Sequence, residues 1–216
     1  GWAIGAPLTV LWLIGVSNAV NLMDGIDGLA GGLSLIASVG FGAAHASAGN
    51  WIGVIASLAL AGALLGFLLF NFPPAKIFMG DGGSLFLGFA LAALPFLGPA
   101  ESIDSGMFFV AITILFVPIL DVFAAILRRI RHRRPIHAPD MEHVHHKLMA
   151  LGLSARQIDA VIYVVSAGLA VAAVGGYNLR DWRGGAILAA VWVAGVGAFS
   201  VLHFVRRVQR RREVSS

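Results

Sequence analysis

The sequence has 216 residues and a formal net charge of +4, with 58% hydrophobic residues and only 12% charged residues. A soluble domain is nearer half apolar and a quarter charged, so this composition excludes an ordinary soluble protein and indicates a membrane protein. The chain contains no cysteine, which excludes disulfides and Cys-ligated metal sites. Because the basic residues flank apolar runs, they indicate membrane anchoring, and nucleic-acid binding is not expected.

Seven apolar runs approach or reach the length of about 20 residues that a membrane-spanning helix requires. They comprise residues 2–16, 29–47, 51–70, 85–97, 107–127, 158–177 and 184–205. The run 29–47 is rich in Gly, Ala and Ser, so we expect it to pack inside the bundle. The fold class is therefore predicted to be all-α, a polytopic transmembrane helix bundle of about seven spanning helices that forms one integral-membrane domain over 1–216.

The chain opens directly in an apolar run, with neither a charged stretch nor a small-residue cleavage site before it. We therefore predict no signal peptide, and we expect an N-terminal portion to precede this sequence in the full-length protein.

The basic residues are distributed unevenly among the segments that connect the apolar runs. Thirteen of the fifteen Lys and Arg residues lie in the connections 17–28, 71–84 and 128–157 and in the C-terminal tail. The other two lie in a second set of connections, 48–50, 98–106 and 178–183. Seven crossings place the two sets on opposite sides of the membrane, and the positive-inside rule places the first set in the cytoplasm.

The first polar motif, NAVNLMDGIDG, covers residues 18–28 at the end of the first apolar run. Its Asn18, Asn21, Asp24 and Asp27 recur every three residues, a spacing that favours one face of a helical turn. Capping is an alternative role for such residues, but four polar groups at one spacing exceed what capping requires. Because acids at a membrane are costly and usually functional, we interpret the motif as part of an active site.

The second motif, FMGDGGS, covers residues 78–84 and precedes the fourth apolar run. Its glycines allow the backbone to approach a ligand closely, and the start of the following helix attracts phosphate. A simple turn is the alternative interpretation. Asp81 adds a third carboxylate on the face that carries Asp24 and Asp27, and such oxygen ligands suit a Mg²⁺ ion that bridges phosphates.

The third motif is a basic and His-rich segment, which we predict to be a cytoplasmic loop over residues 128–156. The planar fork of arginine matches phosphate oxygens, so Arg133 and Arg134 are candidates for substrate binding. For Arg128 and Arg129, which directly follow an apolar run, we prefer membrane anchoring.

Three histidines, His143, His145 and His146, follow in the same segment. Their ring N–H groups are donors that suit phosphate oxygens. His143 and His146 share a helical face, so a Zn²⁺ site is an alternative, although the pattern has neither the HExxH spacing nor a cysteine. Asp121, about two turns before the basic segment, either pairs with an arginine or faces the site.

Together the three motifs resemble those of a known family. The stretches NAVNLMDGIDGLAGG, FMGDGGS and PDxxHxHHKLxxLGLS (residues 139–154) are similar to motifs of the polyprenyl-phosphate N-acetylhexosamine-1-phosphate transferases, in the family's order. The HxHH form resembles the undecaprenyl-phosphate GlcNAc-1-phosphate transferase branch more than the peptidoglycan branch. The family also has an upstream Asp-Asp motif that this sequence lacks, so the resemblance implies that the isolated chain is inactive.

The resemblance implies a role for each candidate residue. Asn21 and Asp81 would hold Mg²⁺, with Mn²⁺ as an alternative ion, and Asp24 and Asp27 would organise the nucleotide and phosphate site. Phe78 would lie near the uracil ring. The remaining candidates, which would bind the substrate or its pyrophosphate, are Asn18, Arg133, Arg134, His143, His145 and His146.

The implied reaction is Mg²⁺-dependent transfer of a HexNAc-1-phosphate, with GlcNAc-1-phosphate favoured, from a UDP-sugar to undecaprenyl or another polyprenyl phosphate. UMP is released, and the lipid product starts a cell-envelope glycan. The expected protein is a multi-pass and homodimeric enzyme of the bacterial plasma membrane whose active site faces the cytoplasm. The residues alone also permit a transporter or channel with intramembrane Asn and Asp, or a structural subunit.

Overall fold

The computed structural model describes residues 2–98, 105–133, 135 and 142–215, with side chains described as far as Val205. Within these ranges the chain forms helices and no β-strand. The helices are α1 (Trp2–Met23), α2 (Leu29–Ser47), α3 (Trp51–Asn71), α4 (Gly80–Ala93), α5 (Ser105–Ile114), α6 (Phe116–Arg131), α7 (Val144–Ala150), α8 (Ala155–Leu179) and α9 (Trp182–Ser215). A short 3₁₀ helix, Leu94–Phe96, continues α4.

Five of the described helices are long and apolar enough to cross a membrane: α1, α2, α3, α8 and the Trp182–Val205 part of α9. The bent pair α5 and α6 is a sixth candidate, whereas the apolar helix Gly80–Phe96 is shorter than a full span. The predicted all-α membrane fold is confirmed. The number of spans supported by length and composition is five or six among the described residues, compared with the seven predicted.

The predicted single helix over residues 107–127 is interrupted at Leu115, and α5 and α6 meet there at an angle of 75°. Pro118, in the first turn of α6, has no N–H to donate to the carbonyl of Ile114, and its ring collides with that carbonyl in a continuous helix. The predicted helix is therefore two helices, which together remain one candidate span. The bend leaves α6 with Asp121 on its buried side.

Two motif boundaries also differ from the prediction. α1 continues to Met23, so Asn18 and Asn21 belong to its last two turns, and the glycine-rich motif forms the first turn of α4 instead of preceding that helix. The two helices pack closely because Gly88 of α4 lies against Ser17 of α1, where a Cβ on Gly88 would be 2.6 Å from the Ser17 Cα. The first two motifs therefore lie on adjoining helices.

α2 lies at the centre of the bundle, as its Gly, Ala and Ser content predicts. Thirteen of its 19 residues are buried, and it packs against both α3 and α8. Its start is fixed by Gly28, which adopts a left-handed conformation with φ of 82°, a region that glycine enters without steric cost.

The connections of the first predicted set lie together at one end of the bundle. The carboxylate of Asp27 accepts a hydrogen bond from the Ala75 N–H at 3.0 Å, and the Arg156 side chain donates to the Pro73 carbonyl at 2.9 Å. These bonds join the segments after α1, after α3 and before α8.

The second set occupies the other end. His45, near the end of α2, bonds to the Leu94 carbonyl at 2.9 Å. Ala48, Gly106 and Arg180, which belong to three different connections or helix ends, line one cavity of about 670 Å³. The described parts of the two sets are thus separated by the length of the bundle, as the sequence predicts.

Candidate active site

The first two motifs meet through the side chains of Asn21 and Asp81. The amide nitrogen of Asn21, near the end of α1, donates to Asp81 Oδ1 at 3.2 Å and to Ser84 Oγ at 2.8 Å. Ser84 in turn donates to the carbonyl of Gly80 at 3.0 Å. These bonds hold the first turn of α4 against α1, so the two residues predicted to bind metal are direct neighbours.

Two further carboxylates, those of Asp24 and Asp27, lie near that of Asp81. Asp24 lies in the turn between α1 and α2, and its pKa is raised to about 6, chiefly by burial and in addition by the charges of Asp81 and Asp27. A raised pKa means that the protein alone disfavours the ionised form of Asp24. A bound cation would relieve this repulsion, so the electrostatics of the site favour a cationic ligand.

The donor set fits a Mg²⁺ ion better than a metal held entirely by protein. Among the residues that the structure describes, no group of three or more His, Asp or Glu side chains is arranged to hold a metal. Mg²⁺ commonly binds one or two carboxylates and fills its other positions with water and phosphate oxygens. Asp81 would supply a carboxylate oxygen, and Asn21 would supply its amide oxygen. The Asn21 amide group would have to be turned by half a rotation for this, which exchanges its oxygen and nitrogen with little change of shape.

The His-rich segment is anchored to α6 by Asp121. His143 precedes α7, and its Nδ1 lies 2.6 Å from Asp121 Oδ2, while the Val144 N–H donates to Asp121 Oδ1 at 2.9 Å. All three groups are buried. Of the two roles left open for Asp121, the structure therefore supports the one that faces the site, with a histidine rather than an arginine as its partner.

His145 joins this segment to the first motif. Its ring lies against Gly25, where a Cβ would be 2.5 Å from the ring Nε2. Burial, and then the neighbouring His146, lower the pKa of His145 to about 4. His145 is therefore a neutral imidazole near neutral pH, and in this state it can donate a hydrogen bond but carries no positive charge.

Three other predicted site residues, Asn18, Phe78 and Arg133, are exposed. Asn18 donates to the Ile14 carbonyl of its own helix and is exposed. Phe78 is 75% exposed in the segment that precedes α4, and Arg133 is exposed just beyond α6 with φ of 51°. Arg134, like residues 136–141 with the Pro-Asp start of the third motif, lies outside the described residues.

One buried residue was not predicted from the sequence. Asp159, in the first turns of α8, is buried, and neither carboxylate oxygen has a hydrogen-bond partner in the described part of the chain. It lies beneath Gly28, whose carbonyl accepts a hydrogen bond from the Tyr163 hydroxyl at 2.6 Å. The rule that an acid within an apolar run is usually functional identifies Asp159 when it is applied to the run 158–177.

The sequence is similar to those of several known proteins. A family profile described as glycosyl transferase family 4 matches residues 1–99. A relative from Bacillus subtilis, named as a probable undecaprenyl-phosphate N-acetylglucosaminyl 1-phosphate transferase, is 47% identical over 174 residues, which are 81% of this chain and 48% of the relative.

Two further relatives carry related names. A decaprenyl-phosphate N-acetylglucosaminephosphotransferase of Mycobacterium tuberculosis is 37% identical over 210 residues, covering 88% of this chain and 52% of its own length. A phospho-N-acetylmuramoyl-pentapeptide-transferase of Lactobacillus johnsonii is 41% identical over 158 residues, which are 72% of this chain and 47% of the relative. The chain thus spans about half the length of the curated relatives that it matches.

Proposed function

Because the chain belongs to glycosyl transferase family 4, we propose that the full-length protein transfers GlcNAc-1-phosphate from UDP-GlcNAc to undecaprenyl phosphate or a similar polyprenyl phosphate. The product would start a lipid-linked glycan of the cell envelope. The observation that carries this proposal is the convergence of Asn21, Asp24, Asp81 and His145 at one end of an apolar helix bundle. The names of the relatives also favour a transferase over a transporter.

The reaction exchanges one phosphoryl bond for another. An oxygen of the polyprenyl phosphate attacks the β-phosphorus of the UDP-sugar, the bond from that phosphorus to the bridging oxygen breaks, and UMP leaves with the electron pair. Because attacking and attacked groups are both anionic, the protein must chiefly align them and offset their charge. A Mg²⁺ ion held by Asp81 and Asn21 would supply charge neutralisation at the pyrophosphate.

The protein groups have separate tasks in this scheme. Asp27 fixes the turn after α1 through its bond to Ala75, and Asp24 completes the negative environment that favours the cation. His145 would donate a ring hydrogen bond to a phosphate oxygen. In support of this role, its buried Nδ1 has no hydrogen-bond partner in the described residues, and buried polar atoms normally have one.

An apolar groove supports a polyprenyl acceptor. The groove encloses about 730 Å³ between α1, α5 and α6, and its lining includes Leu8, Trp12, Ala19, Phe108 and Phe123. Ala19 lies about 3 Å from Asn21 along the axis of α1, although the two side chains point to different sides of the helix. An isoprenoid chain in the groove would therefore bring its phosphate to the level of the predicted metal site.

The proposed location is the bacterial plasma membrane, with the site in contact with the cytoplasm. The uneven distribution of Lys and Arg between the two ends of the bundle supports this orientation. In this proposal the UDP-sugar donor comes from the cytoplasm, so the donor and the site would share a compartment. The test is transfer of labelled sugar phosphate by the full-length enzyme in membranes, with UMP as the second product.

A further inference from the structure

Both carboxylate oxygens of Asp121 have hydrogen-bond partners. Asp121 is 0% exposed, and each of its two oxygens bonds to a different group at the start of α7. Oδ2 bonds to His143 Nδ1 at 2.6 Å, and Oδ1 accepts the Val144 N–H at 2.9 Å. A residue of α6 therefore fixes both a side chain and a backbone group 22 and 23 positions further along the chain.

The bond to His143 determines where the hydrogen of the ring resides. A carboxyl group is a stronger acid than an imidazolium ion, so the shared hydrogen belongs to Nδ1, which donates it to Asp121. A neutral His143 then has its lone pair on Nε2. Carboxylate partners set the tautomer and ring direction of functional histidines in this way.

The bond to Val144 supports a helix that is too short to be stable alone. α7 has seven residues, well below the length of about 12 at which isolated helices become even marginally stable in water. The side chain of His143, which is the N-cap residue, makes no capping bond. Asp121, which belongs to α6, takes the place of this cap because it accepts a hydrogen bond from the Val144 N–H, the first N–H of α7.

The orientation of His143 extends to the rest of the cluster. Its ring is stacked with that of His145 at an interplanar angle of 8° and a centroid distance of 6.0 Å, and His145 contacts His146 at 4.2 Å. His145 lies in turn against Gly25, next to Asp24. A continuous series of contacts therefore connects Asp121 with the turn that carries the first motif.

We propose that Asp121 is a positioning residue of the transferase reaction. It fixes the tautomer and direction of His143 and the start of α7, and thereby places the three histidines at the substrate pyrophosphate. This inference rests on the proposed function, and Asp121 itself touches no substrate.

The test is a double-mutant cycle in the full-length enzyme, with Asp121→Asn, His143→Gln and the double variant. Asp181→Asn at the opposite end of the bundle, where Asp181 is partly exposed and pairs with Arg183, is the matched control. Rates are expressed per folded enzyme, with the folded fraction taken from size-exclusion and thermal unfolding. Removal of a partner that orients a functional histidine costs roughly 10- to 100-fold in activity.

We therefore expect kcat to fall roughly 10- to 100-fold in each single variant, with little change in the KM for UDP-GlcNAc. In the His143→Gln background, Asp121→Asn should cost little more, since Asn keeps an oxygen that can accept the Val144 N–H and the rest of the effect passes through His143. Full additivity of the two losses, or wild-type kcat in Asp121→Asn, would overturn the positioning role. A wild-type enzyme without transfer activity would overturn the proposed function, and the positioning role with it.

Nitrogen NMR of labelled histidine gives a readout that depends on the tautomer rather than on folding. The His143 signals are identified by their loss in His143→Gln. Wild-type enzyme should show hydrogen on Nδ1, and folded Asp121→Asn should show a changed tautomer population. Hydrogen on Nε2 alone in the wild type, or an unchanged spectrum in Asp121→Asn, contradicts the proposal.

Discussion

The ring of His145 lies so close to Gly25 that a Cβ on Gly25 would be 2.5 Å from Nε2 and 2.8 Å from Cε1. Two motifs separated by 120 positions are therefore in van der Waals contact, and their contact requires a glycine. A single small substitution at Gly25 can therefore test whether this contact matters to the site.

Gly25→Ala should displace His145 and lower the transfer rate by roughly tenfold or more, because small misplacements of active groups have large effects on rate. Gly62→Ala is the matched control, since a Cβ on Gly62 in α3 meets nothing within 4 Å. Initial rates of UMP release by full-length variants measure the effect. Equal rates for wild type and Gly25→Ala would show that the described contact is absent from the working enzyme.

His145 should act as a neutral hydrogen-bond donor, because its pKa of about 4 leaves it uncharged near neutral pH. The ring gains a proton only as pH falls toward that value. His145→Gln retains a neutral donor and should keep most of the activity, whereas His145→Ala should lose on the order of a hundredfold, as for loss of one donor to a transition state. Similar losses in both variants, measured as kcat, would indicate instead that a positive charge on His145 is required.

Asp81→Asn should raise the Mg²⁺ concentration needed for half-maximal activity and lower the maximal rate by on the order of a hundredfold, because one charge at the metal site is lost. Asp181→Asn is the control, since Asp181 lies at the other end of the bundle beside Arg183. Asp121→Asn, although isosteric, is unsuitable as a neutral comparison because Asp121 holds His143. The measurement is the initial rate as a function of Mg²⁺ concentration, and a wild-type curve for Asp81→Asn would remove Asp81 from the metal site.

Much of the fold follows from signals that are local in the sequence. α2 begins and ends at the predicted residues, because Gly28 before it and Gly49 after it both adopt positive φ angles. α3 begins at Trp51 because the side chain of Asn50 accepts the Gly53 N–H at 3.2 Å. Pro118 could have predicted the break at Leu115, since its effect on a helix is equally local.

The rest depends on contacts between distant residues, which no local pattern records. The second motif was predicted to precede the fourth helix, and glycine disfavours helices, yet the motif forms the first turn of α4, where Asn21 bonds to Ser84. Likewise, neither periodicity nor motif connects Asp121 with His143. The sequence therefore permits either an arginine partner or a place at the site for Asp121, and only the bond to His143 distinguishes the two roles. The sequence thus predicts which residues are chemically suited to the site more readily than it predicts their partners.

The orientation of the site can be tested by cysteine labelling, because residues 1–216 contain no cysteine. Phe78 and Trp182 are exposed at opposite ends of the bundle, at 75% and 77%. An impermeant maleimide should label Trp182→Cys in intact cells and Phe78→Cys only after the inner face of the membrane is opened. Labelling of Phe78→Cys in intact cells would contradict the proposed cytoplasmic site.

The central claim is that sugar and phosphate move together from UDP-GlcNAc to the lipid. The most direct measurement uses UDP-GlcNAc that carries radioactive phosphorus in the β-phosphate and radioactive carbon in the sugar, with polyprenyl phosphate, Mg²⁺ and the full-length enzyme in membranes. The account predicts that both labels enter the lipid phase in equal amounts and that an equal amount of unlabelled UMP is released. Carbon label in the lipid with the phosphorus label retained in UDP, or no label in the lipid at all, would contradict it.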